Sequence, residues 1–152
     1  MFSEFDKACM RLAIDEAHNA LYEGEIPVGC VLAEGESVLK KTHNRCEELR
    51  DITAHAEMLA IKGVDRQTLR ASTLYVTLEP CPMCAGALAL SGIKRIVFGA
   101  SDKKYGCCGS VYRLTEDPAF PAYSPAYGGL YAEECASLLA EGFDKLRSKT
   151  RE

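Results

Sequence analysis

The sequence predicts an α/β fold in which helices cover both faces of a mixed sheet. Two valine-containing runs, 27–32 and 37–42, flank a turn-prone segment and indicate an antiparallel hairpin. A strand at 73–78, a helical run at 81–91 and a second strand at 95–98 follow one another closely. This order is typical of a βαβ unit, whose two strands are parallel. The predicted sheet is therefore mixed.

Amphipathic helices are expected near both ends of the chain. Apolar residues recur at intervals of three and four over 5–21, Ser3 and Asp6 have the spacing of a capping box, and Gly24 marks a stop. A second apolar stripe follows 131–149 and predicts a closing helix.

Local signals place the connections between these elements. Thr53 is expected to cap a helix that ends at Gly63, and Gly92 is expected to end the helix of the βαβ unit. Residues 118–127 contain three proline-alanine-aromatic triplets, which do not fit an ordinary helix. We therefore predict an extended loop there.

Composition and charge narrow the class of protein. The 152 residues are 47% hydrophobic and carry a formal net charge of -4, which fits one globular domain over 1–152 and disfavours a general nucleic-acid coat. Basic side chains cluster within 94–113 and in the tail after 144, so one face is still suited to a folded polyanion. The sequence has no signal-peptide pattern or apolar run that predicts a membrane span, and we expect a cytoplasmic protein with reduced thiols.

The residues with metal-binding chemistry stand at the starts of two predicted helices. His55 and Glu57 begin one, and Cys81 and Cys84 begin the other at the carboxyl end of a strand. Two thiolates and a neutral imidazole form a three-ligand zinc site that leaves a position for water, as in catalytic sites. Glu57, a nearby carboxylate outside the ligand set, suits proton transfer to a substrate nitrogen.

The same cysteines also fit two other interpretations. A cytosolic Cys-x-x-Cys at a strand-to-helix junction is typical of thioredoxin-like redox proteins, but that chemistry needs neither His55 nor Glu57. A structural zinc site needs a fourth ligand, which the adjacent Cys107 and Cys108 offer.

At these residues the chain resembles the zinc-dependent nucleobase deaminases, which share an H-x-E followed by P-C-x-x-C signature. Within that superfamily it is similar to the tRNA adenosine deaminases that convert wobble adenosine to inosine. The resemblance covers nearly the whole chain, in the segments 26–29, 43–45, 53–57, 74–87, 97–100, 109–110 and 132–135.

The resemblance implies a fold, an activity and site residues. The fold is a three-layer α/β/α sandwich of the cytidine-deaminase type around a mixed five-stranded sheet. The activity is hydrolysis of a cyclic amidine C–N bond, with one Zn²⁺ per subunit, in a homodimer that acts on a tRNA anticodon stem-loop. By the same resemblance, Asn44 would hydrogen-bond the base, Val28 and the Ala56 backbone would line its pocket, and Asp102 would meet the flanking ribose and phosphate.

One departure from the family concerns the substrate. Where bacterial members usually have an Asn-His element after the glycine-serine pair, this chain has Phe120-Pro121-Ala122-Tyr123. We hypothesise that Phe120, Tyr123 and Tyr127 form a substrate loop whose rings stack on RNA bases.

The sequence therefore predicts deamination of wobble adenosine in tRNA. The departure and the acidic net charge leave open a deaminase of a free nucleobase, nucleoside or nucleotide of the guanine, cytosine or cytidine type. A catalytically silent zinc module is a third class, which the retention of Glu57 disfavours.

Overall fold

A five-stranded mixed sheet forms the centre of the computed structural model, which describes residues 1–151. The strands are, in chain order, β1 (Gly29–Glu34), β2 (Ser37–His43), β3 (Ser72–Leu78), β4 (Arg95–Ala100) and β5 (Ala126–Tyr127). Their order across the sheet is β2-β1-β3-β4-β5.

Strand pairing confirms the hairpin and the βαβ unit. β1 is antiparallel to both β2 and β3, with Cys30 opposite Thr42 on one side and Val76 on the other. β3 and β4 are parallel, with Val76 opposite Phe98, and β5 adds a second parallel pair. The carboxyl ends of β3 and β4 therefore lie at the same edge of the sheet.

Helices cover both faces of the sheet, as predicted. Within residues 1–151 they are α1 (Glu4–Tyr22), α2 (Cys46–Leu49), α3 (Ala56–Ile61), α4 (Arg66–Ala71), α5 (Pro82–Ser91) and α6 (Ala132–Thr150). α1 and α6 pack on one face, and α3, α4 and α5 form the opposite layer. The large side chains buried between the layers include Met10, Leu32, Leu74, Tyr75, Leu88 and Ile96. None of these helices is both long and apolar enough to span a membrane.

The first helix begins as the sequence predicts. The Ser3 hydroxyl accepts the Asp6 N–H and the Asp6 carboxylate accepts the Ser3 N–H, which completes the capping box. The same carboxylate also accepts hydrogen bonds from the Tyr75 hydroxyl at 2.7 Å and from two Arg95 nitrogens at 2.8 and 3.1 Å. One buried side chain thus joins the start of α1 to β3 and β4.

Two further contacts join α1 to the hairpin. Gly29 lies so close to α1 that a Cβ at this position would overlap the Ala13 backbone. The His43 ring lies between the carboxylates of Glu16 and Glu23, at 2.7 and 2.8 Å. Partial burial alone lowers the pKa of His43, but these hydrogen bonds outweigh it and raise that pKa above its ordinary value.

Residues 44–71 differ from the prediction. The N-cap of α3 is His55, because Thr53 donates both its N–H and its hydroxyl to the Asp51 carboxylate and is held in a turn. The helix ends at Ile61, two residues before Gly63. The short helices α2 and α4 were not predicted from the sequence.

The prediction of a loop throughout 118–127 is wrong at its end. Ala126 and Tyr127 form β5 opposite Ile96 and Val97, and the Ile96 N–H donates to the Pro125 carbonyl. Proline lacks an N–H but keeps its carbonyl, so it can stand at the start of an edge strand.

Candidate active site

A pocket of about 430 Å³ opens beyond the carboxyl end of β3. Its wall combines apolar side chains with a few polar groups, as is typical of small-molecule sites. The lining residues are Ile26, Val28, Asn44, His55, Ala56, Glu57, Leu78, Glu79, Cys81, Pro82, Asp102, Tyr105 and Phe143.

Three potential metal ligands meet beside this pocket, and two of them, His55 and Cys81, line it. The ligand atoms of His55, Cys81 and Cys84 all lie within 4.8 Å of one another. His55 Nδ1 is 3.5 Å from the Cys81 sulfur and 3.6 Å from the Cys84 sulfur. Tetrahedral zinc, with Zn–S near 2.3 Å and Zn–N near 2.0–2.1 Å, holds nitrogen and sulfur about 3.6 Å apart. The donor set and its spacing therefore fit zinc.

The chain forms this cluster from two helix starts. Cys81 is the N-cap of α5 with Pro82 at the first helical position, and Cys84 lies one turn further on the same side. Hydrogen bonds from the Cys84 thiol and from His55 lower the pKa of Cys81 to about 4. A thiolate, the form that binds a metal, is thus favoured at Cys81.

The structure favours a catalytic zinc site at this cluster over a structural one with four protein ligands. Cys107 and Cys108 are buried, and neither joins the ligand group found among residues 1–151. Their contacts lie elsewhere, because the Cys107 thiol faces the Tyr105 carbonyl and the Cys108 sulfur faces Thr115. Three protein ligands beside an open pocket are the arrangement of a catalytic zinc site.

Glu57 lies in the first turn of α3, beside the ligand cluster. It is 4% exposed and lines the pocket. Burial raises the pKa of this carboxyl above its ordinary value. The arrangement brings a carboxylate that is not a ligand next to a potential metal site, as proton transfer requires.

The four residues that the resemblance assigns to substrate binding all line the same pocket. Asn44 is buried, its side-chain oxygen accepts from the Cys46 thiol, and its N–H donates to the Val28 carbonyl. Val28 and Ala56 supply apolar wall, and Asp102, in the loop after β4, adds a carboxyl group to the lining.

The candidate substrate loop lies elsewhere. Phe120, Tyr123 and Tyr127 are not among the pocket-lining residues. Tyr127 pairs with the beginning of β4, whereas the pocket lies beyond the end of that strand, and its ring is 5.4 Å from the Arg95 guanidinium. Within one chain, Tyr127 and the pocket thus lie at opposite ends of β4.

Several pocket residues were not assigned to the site from the sequence. Ile26, Leu78 and Pro82 complete the apolar wall, and Tyr105 and Phe143 lie at its rim, each about half exposed. Their positions depend on tertiary packing: Gly142 lies so close to Pro27 that a Cβ would overlap the proline ring, and this approach brings Phe143 to the pocket. Glu79 adjoins the Cys-x-x-Cys motif, which was the one sequence signal that could have identified it.

Comparison with known proteins defines the class. The profile of the cytidine and deoxycytidylate deaminase zinc-binding region matches residues 3–100. The chain therefore belongs to this family of zinc-dependent deaminases.

Individual relatives narrow the group within the family. The "tRNA-specific adenosine deaminase" of Bacillus subtilis is 41% identical over 150 residues, covering 96% of this chain and 93% of the relative. The protein of the same name from Aquifex aeolicus is 43% identical over 143 residues, covering 91% and 94%. At this identity and coverage the chain is a member of that group.

Solved structures agree with this placement. A protein from a structural study of A-to-I editing by tRNA:A34 deaminases has a TM-score of 0.77 and 37% identity, covering 86% of this chain and 98% of that one. A guanine deaminase from Nitrosomonas europaea has a TM-score of 0.76 at 20% identity, covering 93% and 85%. The second likeness shows the shared fold alone.

Proposed function

We propose that this protein hydrolyses the exocyclic amine of adenosine at the tRNA wobble position, releasing ammonia and leaving inosine. The observation that carries the proposal is identity of 41–43%, over more than nine-tenths of the chain, to relatives named for this activity. The His-Cys-Cys cluster and the adjacent Glu57 support it chemically.

His55, Cys81 and Cys84 hold zinc in this proposal, and Glu57 moves the proton. Bound zinc supplies the Lewis acidity that makes water a nucleophile at neutral pH. Glu57 would take one proton of the attacking water and deliver it to the ring nitrogen. It would then take the proton of the hydroxyl now bonded to carbon and pass it to the amine, which leaves as ammonia when the C–N bond breaks. Its position beside the cluster, buried and outside the ligand set, supports this assignment.

The remaining pocket residues bind the base. Asn44 offers its carboxamide to the purine edge, Val28 and the Ala56 backbone line the base faces, and Asp102 meets the adjoining ribose and phosphate. A pocket of about 430 Å³ admits one extruded base with room for its sugar. An anticodon loop exposes such a base at little unstacking cost.

Other features of the proposal concern the assembly and its setting. We infer one catalytic domain over residues 1–152, a homodimer and a cytoplasmic location, and we take the anticodon stem-loop as the minimal RNA partner. The basic residues Lys145, Arg147 and Lys149 follow Phe143 along α6 and suit contact with RNA phosphates near the pocket.

The candidate substrate loop gives a separate prediction. Because Tyr123 and Tyr127 are exposed but lie away from the pocket, they are available to RNA beyond the extruded nucleotide. Replacing both with alanine should slow deamination of the stem-loop far more than deamination of a free nucleoside, since stacking contributes about 1–3 kcal/mol per base. Equal losses on the two substrates would refute the loop hypothesis.

The experiment that tests the function compares substrates directly. Zinc-loaded protein is incubated with a stem-loop bearing wobble adenosine, with the same stem-loop bearing guanosine there, and with free adenosine, cytidine, cytosine and guanine. Inosine at the wobble position alone supports the proposal. Ammonia from a free base with an untouched stem-loop assigns the protein to nucleobase deamination instead.

Two controls separate the other classes of protein. In Glu57→Gln, turnover should disappear while zinc is retained, whereas a zinc module without catalytic function shows no turnover in either form. A redox protein built on Cys81 and Cys84 would keep its activity after both chelation and loss of Glu57.

A further inference from the structure

A second buried carboxylate, Glu79, lies between the end of β3 and the loop that follows β4. Its side chain is 1% exposed, it stands two residues before Cys81, and it touches the pocket. No lysine or arginine within residues 1–151 forms a salt bridge with it. Neutral hydrogen-bond donors must therefore satisfy its oxygens.

Four donors from one stretch of chain, Asp102–Ser110, surround this carboxylate. We call this stretch the 102–110 segment. Oε1 accepts the Asp102 N–H, at an N···O distance of 3.2 Å, and the Ser110 hydroxyl. Oε2 accepts the Cys108 N–H at 3.1 Å and the Ser110 N–H at 3.0 Å. Each oxygen of Glu79 thus accepts two hydrogen bonds from the 102–110 segment, and neither is free to react with a substrate.

Only a carboxylate satisfies this arrangement. The three backbone N–H groups can only donate, and they are divided between both oxygens of Glu79. A glutamine offers one oxygen and one NH₂ group. If its oxygen faces Cys108 and Ser110, its NH₂ group faces the Asp102 N–H, and that donor loses its partner.

The 102–110 segment also packs closely around this anchor. A Cβ at Gly106 would overlap the Glu79 carboxyl group, so only glycine fits there. The Cys107 N–H donates to the Pro80 carbonyl at 2.9 Å, which attaches the segment to the residue before Cys81. Every one of these tethers joins the segment to residues 79–80.

The segment carries two pocket residues. Asp102 and Tyr105 both line the pocket, together with Val28 and Ala56 from other parts of the chain. The Asp102 carboxylate accepts the Lys104 and Tyr105 N–H groups at 3.0 Å each, so both side chains belong to one ordered turn. Moving the segment would therefore move one wall of the pocket.

We propose that Glu79 is a positioning residue, whose four hydrogen bonds fix the 102–110 segment against the metal-binding turn and so set the width of the nucleotide pocket. This inference rests on the proposed function for its substrate. It assigns no chemical step to Glu79, because its oxygens face the segment and not the pocket interior.

The test uses Glu79→Gln in the full zinc-loaded protein with two readouts. The first is amide hydrogen exchange, in which the Asp102 N–H should exchange at least about tenfold faster while amides of β3 keep their protection. The second is steady-state deamination of the wobble-adenosine stem-loop. KM should rise about tenfold with kcat within about threefold of wild type and zinc content unchanged, because binding geometry is lost and the proton-transfer groups remain.

A matched control distinguishes positioning from general destabilisation. Glu25 is also buried and accepts two backbone N–H groups, from Glu47 and Glu48 at 2.9 Å each, but it does not line the pocket. Glu25→Gln should reduce thermal stability without raising KM. Equal increases in KM for the two variants would mean that Glu79 acts through overall stability, which overturns the proposal.

The outcomes separate this inference from the proposed function. A wild-type protein that leaves the stem-loop unchanged contradicts the function, while the exchange measurement still decides whether Glu79 anchors the segment. An active wild type with normal KM and normal Asp102 exchange in Glu79→Gln overturns the inference alone. If Glu79→Gln does not fold, Ser110→Ala removes one of the four donors, and a KM equal to that of wild type then counts against the proposal.

Discussion

Asp6→Ala should destabilise the fold more than any other single loss of a carboxylate outside the pocket. The Asp6 side chain accepts four hydrogen bonds, from the Ser3 N–H, the Tyr75 hydroxyl and two Arg95 nitrogens, at 2.7 to 3.1 Å. Alanine leaves the Tyr75 hydroxyl and the half-buried Arg95 guanidinium without these acceptors. It also removes half of the α1 capping box.

The expected loss of unfolding free energy follows from the groups that Asp6→Ala leaves without a partner. Removing one partner of a buried ion pair costs about 3–5 kcal/mol, because the other charge stays desolvated. The lost capping box adds about 1 kcal/mol at most, since one side chain carries both functions and the contributions are not additive. We therefore expect Asp6→Ala to lose about 3–5 kcal/mol of unfolding free energy. For a domain of this size, that lowers Tm by about 6–20 °C.

The assay is urea unfolding followed by circular dichroism, with equal m values required for both proteins. Glu4→Ala is the control, since Glu4 lies in the same turn but is exposed and should change stability little. A loss below about 1 kcal/mol for Asp6→Ala would refute the reasoning, because it would mean that water replaces these hydrogen bonds.

The pH dependence of the stability difference between wild type and Asp6→Ala is a second check. Burial alone raises the pKa of Asp6, but the hydrogen bonds from Arg95, Ser3 and Tyr75 outweigh it and hold this pKa far below its ordinary value of 3.8. A carboxyl whose pKa is lower in the folded state than in the unfolded state stabilises the fold fully at pH values above the unfolded-state pKa. This contribution is lost as pH falls from the unfolded-state pKa through the folded-state pKa. The stability difference between wild type and Asp6→Ala should therefore shrink below about pH 4.

Three other predictions follow from features described above. In Glu57→Gln, inosine formation should fall by at least about 10²-fold while mass spectrometry still finds zinc, and loss of the metal would show that Glu57 is needed for the cluster itself. Gly29→Ala should cost about 1–3 kcal/mol or more in urea unfolding because its Cβ meets α1, whereas Gly86→Ala, which meets nothing within 4 Å, should be neutral or stabilising by up to about 1 kcal/mol. The raised pKa of His43 means that its ion pairs stabilise the fold fully below about pH 6.5 and lose that contribution as pH rises through the folded-state pKa. The stability difference between wild type and His43→Gln should shrink accordingly as pH rises above about 6.5, and a difference that grows with pH would contradict the ion-pair assignment.

Much of the site is encoded locally and could be predicted from the sequence. Cys81 and Cys84 must share one side of a helix start, and His55 and Glu57 must stand together at another. Only the contact between the two helix starts depends on tertiary structure. Their meeting follows from the sheet, because β2 and β3 are both antiparallel to β1, and the ends of β2 and β3 that lead towards α3 and α5 therefore lie at one edge.

The errors occurred where local signals compete. Thr53 has a good capping side chain, but Asp51 two residues earlier takes both of its donors, and the helix starts at His55 instead. Nothing in the spacing of Thr53 and His55 decides between these two hydrogen-bonding patterns.

Residues far apart in sequence account for the rest. Phe143 reaches the pocket because Gly142 admits Pro27, and the aromatic triplets lie away from it because Ala126 and Tyr127 pair with the first half of β4. Both outcomes depend on pairings that periodicity does not report.

Phe143, which lines the pocket, is synthesised well after the potential zinc ligands. The potential zinc ligands are complete once Cys84 has been made, but the pocket wall waits for Phe143, 59 residues later. At about 5–20 residues per second, these residues take the ribosome about 3–12 s to add. During that interval a nascent chain has all three ligands while its pocket still lacks the wall from α6. Metal capture can therefore precede the ability to bind a nucleotide during each round of translation.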